Sequence, residues 1–187
     1  VSYSSALFTP GDTDLARAQD RKLDRVLSRL GGGESVLEVG CGWGSFAERA
    51  ADQGRNVTGI TISKAQKGYA DARLDGRASI EFCDYRNTTG TYDNIVSIEM
   101  IEAVGERYWP GYFDMIRQRL KPGGRAVVQT ITIAETKFER YRKGTDFIQQ
   151  YIFPGGMLPS PQRLSEVAAR QGLSVEGMHH FGLDYAE

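Results

Sequence analysis

The chemistry in this chain concentrates at Glu38-Val39-Gly40-Cys41-Gly42-Trp43-Gly44. These residues follow the apolar run Ser35-Val36-Leu37 and lead into Phe46-Ala47-Glu48-Arg49-Ala50-Ala51, which reads as a helix. A strand that breaks into glycines before a helix lets a ligand's polar end approach backbone N–H groups, because glycine accepts left-handed angles and carries no Cβ. The acid ahead of the glycines selects the ligand. A pyrophosphate would be repelled by Glu38, whereas an ammonium group would be attracted, so the loop points to S-adenosylmethionine rather than NAD. Two departures from a dinucleotide fingerprint agree: Ser45 stands at the third glycine position, and the second strand closes on Gly59-Ile60-Thr61 without an acid for the ribose. Asp84, directly after the third strand, can accept from an adenine amino group, and Tyr85 can cover the ring face. Alone, Asp84 would also suit an ordinary turn after a strand.

These residues must be positioned by strands alternating with helices. Leu15, Ala18, Leu23, Val26, Leu27 and Leu30 recur at helical spacing over residues 13–30, with Asp12 or Thr13 as the expected cap and Gly31-Gly32-Gly33 as the stop. Strands are expected at Ser35–Val39, Asn56–Thr61, Ala78–Cys83, Tyr92–Ile98 and Arg125–Thr132. Helices are expected at residues 44–53, Ser63–Leu74 behind a serine cap, Tyr108–Leu120 and Pro161–Gln171, with a last strand at Leu173–Phe181. Nearly continuous apolar strands between helices predict an α/β fold with a mostly parallel sheet covered on both faces, which binds ligands at the carboxyl ends of its strands. One stretch breaks the alternation. Residues 134–159 carry Phe138, Tyr141, Phe147, Tyr151, Ile152 and Phe153, then Pro154-Gly155-Gly156, an aromatic insertion after the fifth strand of the kind that serves as a lid or an acceptor-binding segment.

Composition narrows the classes. A chain of 187 residues is about one domain, here read as 1–187 with residues 1–33 as its N-terminal covering segment and helix. Lys and Arg number 23 against 24 Asp and Glu, so no basic surplus points to nucleic acid. No run approaches the roughly 20 apolar residues that span a bilayer, and no signal-peptide pattern opens the chain. The expected setting is cytoplasmic. Cys41 and Cys83 have neither metal spacing nor a disulfide framework and read as buried free thiols at strand ends, with no metal site. Starting at Val1 and stopping straight after an aromatic stretch, the sequence reads as the middle of a longer protein.

Five segments together resemble the cyclopropane-fatty-acid synthase family, which includes the mycolic acid cyclopropane synthases and related fatty-acid methyltransferases. They are Tyr3-Ser4-Ser5-Ala6-Leu7-Phe8, Leu37 through Gly44, Gly59-Ile60-Thr61-Ile62-Ser63-Lys64-Ala65-Gln66, Glu99-Met100-Ile101-Glu102-Ala103-Val104-Gly105 and Tyr151-Ile152-Phe153-Pro154-Gly155-Gly156. The resemblance runs over practically the whole chain and implies a class I, Rossmann-like S-adenosylmethionine methyltransferase fold. It implies that Tyr3 and Ser4 close over the methionine part of the cofactor, that Gly40 and Gly42 give it backbone contact, that Thr61 and Gln66 hold the ribose, and that Asp84 and Tyr85 hold the adenine.

The family's chemistry is attack of a cis double bond, in a phospholipid acyl chain, on the sulfonium methyl. The resulting carbocation then loses a proton to close a cyclopropane, with bicarbonate as base. The anion site maps onto Ser5, Glu102, Gln129 and Ile131. Ser5 stands where Cys is common, and Gln129 replaces a His while still offering amide donors. Glu102 also suits a plain helix N-terminal acid. Because the base decides the fate of the cation, cyclopropanation leads and methyl or methylene branching follows. A small-molecule N-methyltransferase and a truncated cofactor-binding module are the alternatives. Contact with the membrane surface is expected to be transient and peripheral, and a homodimer is compatible with the sequence.

Overall fold

The computed structural model describes residues 4–11, 13–144 and 156–181. Its centre is a five-stranded parallel sheet, β1 (Ser35–Val39), β2 (Asn56–Thr61), β3 (Ser79–Phe82), β4 (Tyr92–Ile98) and β5 (Leu120–Gln129), in the order β3-β2-β1-β4-β5. The order reverses between β1 and β4. There the connections leave in opposite directions, and a crevice opens at the carboxyl ends of the strands. Val36, Leu37, Ile95 and Val96 are fully buried, as expected for parallel strands covered on both faces.

Helices α1 (Leu15–Ser28), α2 (Ser45–Asp52) and α3 (Lys64–Leu74) accompany the β1–β3 half, while α4 (Trp109–Arg119), α5 (Glu135–Arg142) and α6 (Pro161–Arg170) follow β4 and β5. Two cores result. Leu23, Val26 and Leu27 of α1 pack with Phe46, Ala47 and Ala50 of α2 on one side. On the other, Trp109, Tyr112 and Ile116 of α4 pack with Phe138 of α5 and Val167 of α6. Trp109 satisfies its indole N–H by donating to the Val104 carbonyl at 2.7 Å, which fixes the turn between β4 and α4.

Several boundaries differ from expectation for local reasons. Asp14, not Asp12 or Thr13, caps α1, accepting from Ala16 N at 2.9 Å and Arg17 N at 3.1 Å, and Leu15 stays 59% exposed because it sits at the helix entrance. A single 3₁₀ turn at Glu106–Tyr108 precedes α4. Strand β5 starts earlier and ends sooner than Arg125–Thr132: Leu120 already pairs with Tyr92, the chain loops out, and pairing resumes from Asn94–Arg125 to Ile98–Gln129. Residues 173–181 form no strand; Leu173 packs against the α4–α6 core, but the segment runs largely exposed and finds no ladder partner among the described residues. In the aromatic insertion, Phe138 is 4% exposed and serves the core rather than an acceptor surface. Phe147, Tyr151, Ile152 and Phe153 lie outside the described residues. Cys41 is buried, as expected; Cys83 is only partly so.

Candidate functional site

A cleft of about 900 Å³ opens where the strand order reverses, walled by the ends of all three strands β1, β2 and β4. Gly40 and Gly42 form its floor, with φ of 79° and 52°. The N–H groups of Gly40 and Cys41 both donate to the Ile60 carbonyl, at 3.1 and 3.0 Å, so the loop is pinned to the end of β2. A Cβ on Gly40 would come within 3.0 Å of Met100 Cγ, whereas one on Gly42 would meet open space. That open face is where a ligand can lie against backbone.

Glu38 stands under the loop, 3% exposed, and its Oε2 has no hydrogen-bond partner. Burial pushes its carboxyl well above the usual carboxylate range, while the Ala47 backbone N–H and the Lys22 ammonium pull the other way. A buried carboxylate oxygen without a donor beside a cleft is a place for a cationic ligand group. Thr61 and Gln66 meet across the turn from β2 to α3: the Thr61 hydroxyl donates to Gln66 Oε1 at 2.7 Å, so the two amide protons of Gln66 are not used in that bond. Asp84 ends β3's exit and accepts from Arg86 N at 3.0 Å, Arg86 Nε at 2.9 Å and Arg86 Nη2 at 2.7 Å. The guanidinium holds its carboxyl below the usual range. Tyr85 packs edge-on against buried Tyr112, with ring centroids 5.7 Å apart. These residues fit S-adenosylmethionine: carboxylate for the ammonium, a glycine floor for close approach, hydroxyl and amide for ribose, and an ionised acceptor for adenine.

The other end of the cleft is built from long-range contacts. The N-terminal segment lies along α1, with Leu7 N donating to the Ala18 carbonyl at 3.0 Å and Gln19 Nε2 to the Ser4 carbonyl at 2.6 Å. Tyr3 lies outside the described residues. Ser4 Oγ accepts from Lys22 Nζ, which is itself 1% exposed. From there Ser5 reaches Glu99 at the end of β4. Its N–H and hydroxyl donate to Glu99 Oε1 at 2.9 and 2.5 Å, and Gln129 Nε2 donates to the same oxygen at 3.0 Å. Gln129 Nε2 also lies 3.0 Å from Ser5 Oγ.

Glu102 is close by in sequence but occupies a single 3₁₀ turn, Ile101–Ala103, and not an α-helix N-terminus. Its Oε1 accepts from Ile131 N and lies 3.0 Å from Thr130 Oγ1; its Oε2 is buried without a partner. Burial drives its carboxyl up, against the pull of the Ile131 N–H. Ser5 and Gln129 thus meet as expected, and Glu102 and Ile131 meet as expected, but each pair closes on a carboxylate of the chain. The donors needed for bicarbonate are taken, so that anion does not fit this arrangement.

Two residues with a part in the site escape a local reading. Glu99 carries the same signal as Asp84, an acid directly after a strand at the ligand-binding edge. Lys22 sits four residues from both Ala18 and Val26, on the buried stripe of α1. Burial lowers its ammonium to about 8, with Glu99 and Glu38 holding it up.

Comparison with known proteins places this geometry. Residues 1–187 match the family described as mycolic acid cyclopropane synthetase. The chain is 41% identical over 202 residues to the tuberculostearic acid methyltransferase UfaA1 of Mycobacterium tuberculosis, covering all of this chain and 47% of that protein. It is 34% identical over 189 residues to the cyclopropane-fatty-acyl-phospholipid synthase of Escherichia coli K12, covering 99% and 48%. Among solved structures, mycolic acid cyclopropane synthase CmaA1 complexed with SAH and CTAB superposes with a TM-score of 0.84 at 31% identity, over 94% of this chain and 68% of that one. The chain spans about half the length of the curated relatives it matches. With its sheet order, glycine floor and family match over residues 1–187 in agreement, this chain belongs to the mycolic acid cyclopropane synthetase family.

Proposed function

We propose that the protein transfers the methyl carbon of S-adenosylmethionine to a cis double bond in the acyl chain of an unsaturated phospholipid, giving a cyclopropane fatty acid. The observation that carries this reading is the cleft itself. Its β1–β3 end offers a partner for each polar group of S-adenosylmethionine, and its β4–β5 end presents the partly buried Glu99 and the buried Glu102 where an acceptor would develop positive charge. The names of the relatives, a cyclopropane-fatty-acyl-phospholipid synthase and a tuberculostearic acid methyltransferase, point to acyl chains as acceptors.

The bound cofactor supplies an activated methyl group with a positively charged sulfur as leaving group. The chain's residues do the rest. Glu38 anchors the ammonium, Thr61 and Gln66 orient the ribose, and Asp84 and Tyr85 fix the adenine, so the methyl is held in line for a weak π nucleophile. At the acceptor end Glu102 sits in low dielectric, where a carboxylate stabilises a developing cation more than it would in water. Among the described residues no helix is long and apolar enough to cross a membrane. Ile62 is 72% exposed beside the cleft, an apolar contact for a lipid surface approached transiently.

A second reading, a methyl- or methylene-branched product, is favoured by one feature: Gln129 can donate but cannot take up a proton, so the base lies elsewhere than at an imidazole. Labelled cofactor with the full-length protein and vesicles of unsaturated phosphatidylethanolamine tests both. Ring protons in the NMR spectrum of the acyl product support cyclopropanation, and an exocyclic methylene signal moves the assignment to branching. Mass does not distinguish these isomers. Methylation that needs an amine and persists without lipid would overturn both readings.

A further inference from the structure

We propose that Glu99 is the base of the proton-removal step and replaces an added bicarbonate. The inference rests on the acyl-chain reading above. The geometry behind it is unusual at one residue. Glu99 has φ of 50°, a left-handed angle that residues bearing a side chain rarely adopt. Asp75, the other described non-glycine residue with positive φ, is a helix C-cap. Glu99 has no such ordinary reason, because its N–H still continues the ladder by donating to the Gln129 carbonyl at 2.9 Å.

What the turn achieves is the placement of a carboxylate. Oε1 takes the Ser5 N–H, the Ser5 hydroxyl and the Gln129 amide. Ser5 and Gln129 are two of the four residues the family resemblance assigns to a free anion, and here a tethered anion occupies them. None of those bonds uses Oε2, and Glu99 lines the cleft. Gln129 and Ser5 cannot act as bases at neutral pH, and the Ile131 backbone amide is not basic. Glu102 is committed through Oε1 to Ile131 and Thr130, and its Oε2 is buried away from the cleft surface. Glu99 is the carboxylate left to act.

The step balances without a further reactant. The alkene π pair forms the new C–C bond as the S–CH3 bond breaks and its electron pair goes to sulfur. A proton of the transferred methyl carbon passes to Glu99 Oε2. Its C–H pair either closes the third ring bond onto the cationic carbon or, once a 1,2-hydride shift has moved the cation to the methyl-bearing carbon, becomes an exocyclic C=C. The protonated carboxyl then releases its proton to solvent.

The test uses the full-length protein in CO2-free buffer, with ¹³C-bicarbonate added back. Wild type is expected to show no bicarbonate binding by NMR and no change in methyl transfer to unsaturated phosphatidylethanolamine vesicles. Glu99→Gly, whose new residue suits the backbone angle, should lose about 100-fold in rate, keep cofactor affinity by calorimetry, and gain both bicarbonate binding and partial rescue of rate. Glu99→Gln keeps the side-chain volume, guards against a folding defect, and should lose rate without rescue. Bicarbonate bound by wild type, or a wild-type rate that depends on it, overturns the proposal. Absence of lipid methylation in wild type would instead sink the acyl-chain reading, and the binding arm would still decide whether Glu99 excludes the anion.

Discussion

At the β1–β3 end of the cleft, polar side chains keep bonding capacity for a ligand; at the β4–β5 end they bond one another. Glu38 leaves a buried oxygen unpartnered, Gln66 keeps its amide protons, and Gly42 opens onto empty space. Glu99, Ser5 and Gln129 instead saturate a shared oxygen, across 94 residues from Ser5 to Glu99. The first end is built to receive a polar molecule, whose own groups complete the hydrogen bonding. On the acyl-chain reading proposed above, the second faces an apolar acceptor that brings no donors or acceptors, which suits polar groups mostly satisfied in advance, Glu102 Oε2 being the buried exception.

Glu102→Gln gives the sharpest break between the ends. The amide keeps the shape and an acceptor for Ile131 N while removing the charge, so turnover should fall about 100- to 1,000-fold, with cofactor affinity by calorimetry changed less than about threefold. Equal losses in both would mean that the ends do not act separately.

Lys22 tests the seam, since its ammonium faces Glu38 of one end and Glu99 of the other. Its native value, about 8, lies below the ordinary 10.5, so between those pH values the unfolded chain binds more protons than the native one. Stability should therefore rise with pH across that window, by about 3 kcal/mol, the cost of the buried charge being fully present below it. Urea unfolding of wild type and Lys22→Met from pH 7 to 10.5 reads the difference. A wild-type profile parallel to that of Lys22→Met would show that Lys22 is not a buried cation at the seam.

The same contrast explains what could be read without coordinates. Gly40, Thr61 and Asp84 announce themselves through neighbours: each sits within a residue or so of a strand end, and the sheet topology does the rest. Strands β1, β2 and β4 fall where apolar runs place them, since parallel strands buried on both faces leave little register ambiguity. Glu99 and Lys22 depend on partners far away in the chain, and no local window contains Ser5 and Gln129 together. Residues 173–181 show the converse failure, an apolar pattern whose strand character depends on a partner strand that the described fold does not provide. Glu102 lies between these cases: its segment is recognisable, yet its bond to Ile131 is visible only in three dimensions.

At the open end, Asp84→Ala should weaken S-adenosylmethionine binding about 10- to 100-fold, the worth of a hydrogen bond to a charged group. Titration calorimetry measures it directly. The loss should appear in binding, while the rate at saturating cofactor changes less than about threefold. A large fall in that saturated rate would assign Asp84 to the chemistry rather than to the adenine.

Arg86→Ala carries the smallest effect and the finest test of the contrast. Arg86 grips Asp84 by two nitrogens, but its side chain is 66% exposed, so the pair is screened by water and salt. The Arg86 backbone N–H, which survives the substitution, still donates to Asp84 Oδ1 and keeps the carboxylate in place. Cofactor affinity should fall by less than about threefold, and less again at high salt. A loss as large as that of Asp84→Ala would mean that the adenine end also relies on a pre-formed internal pair. The difference between the two ends would then be one of exposure alone, with ligand-ready and self-satisfied groups built on the same plan.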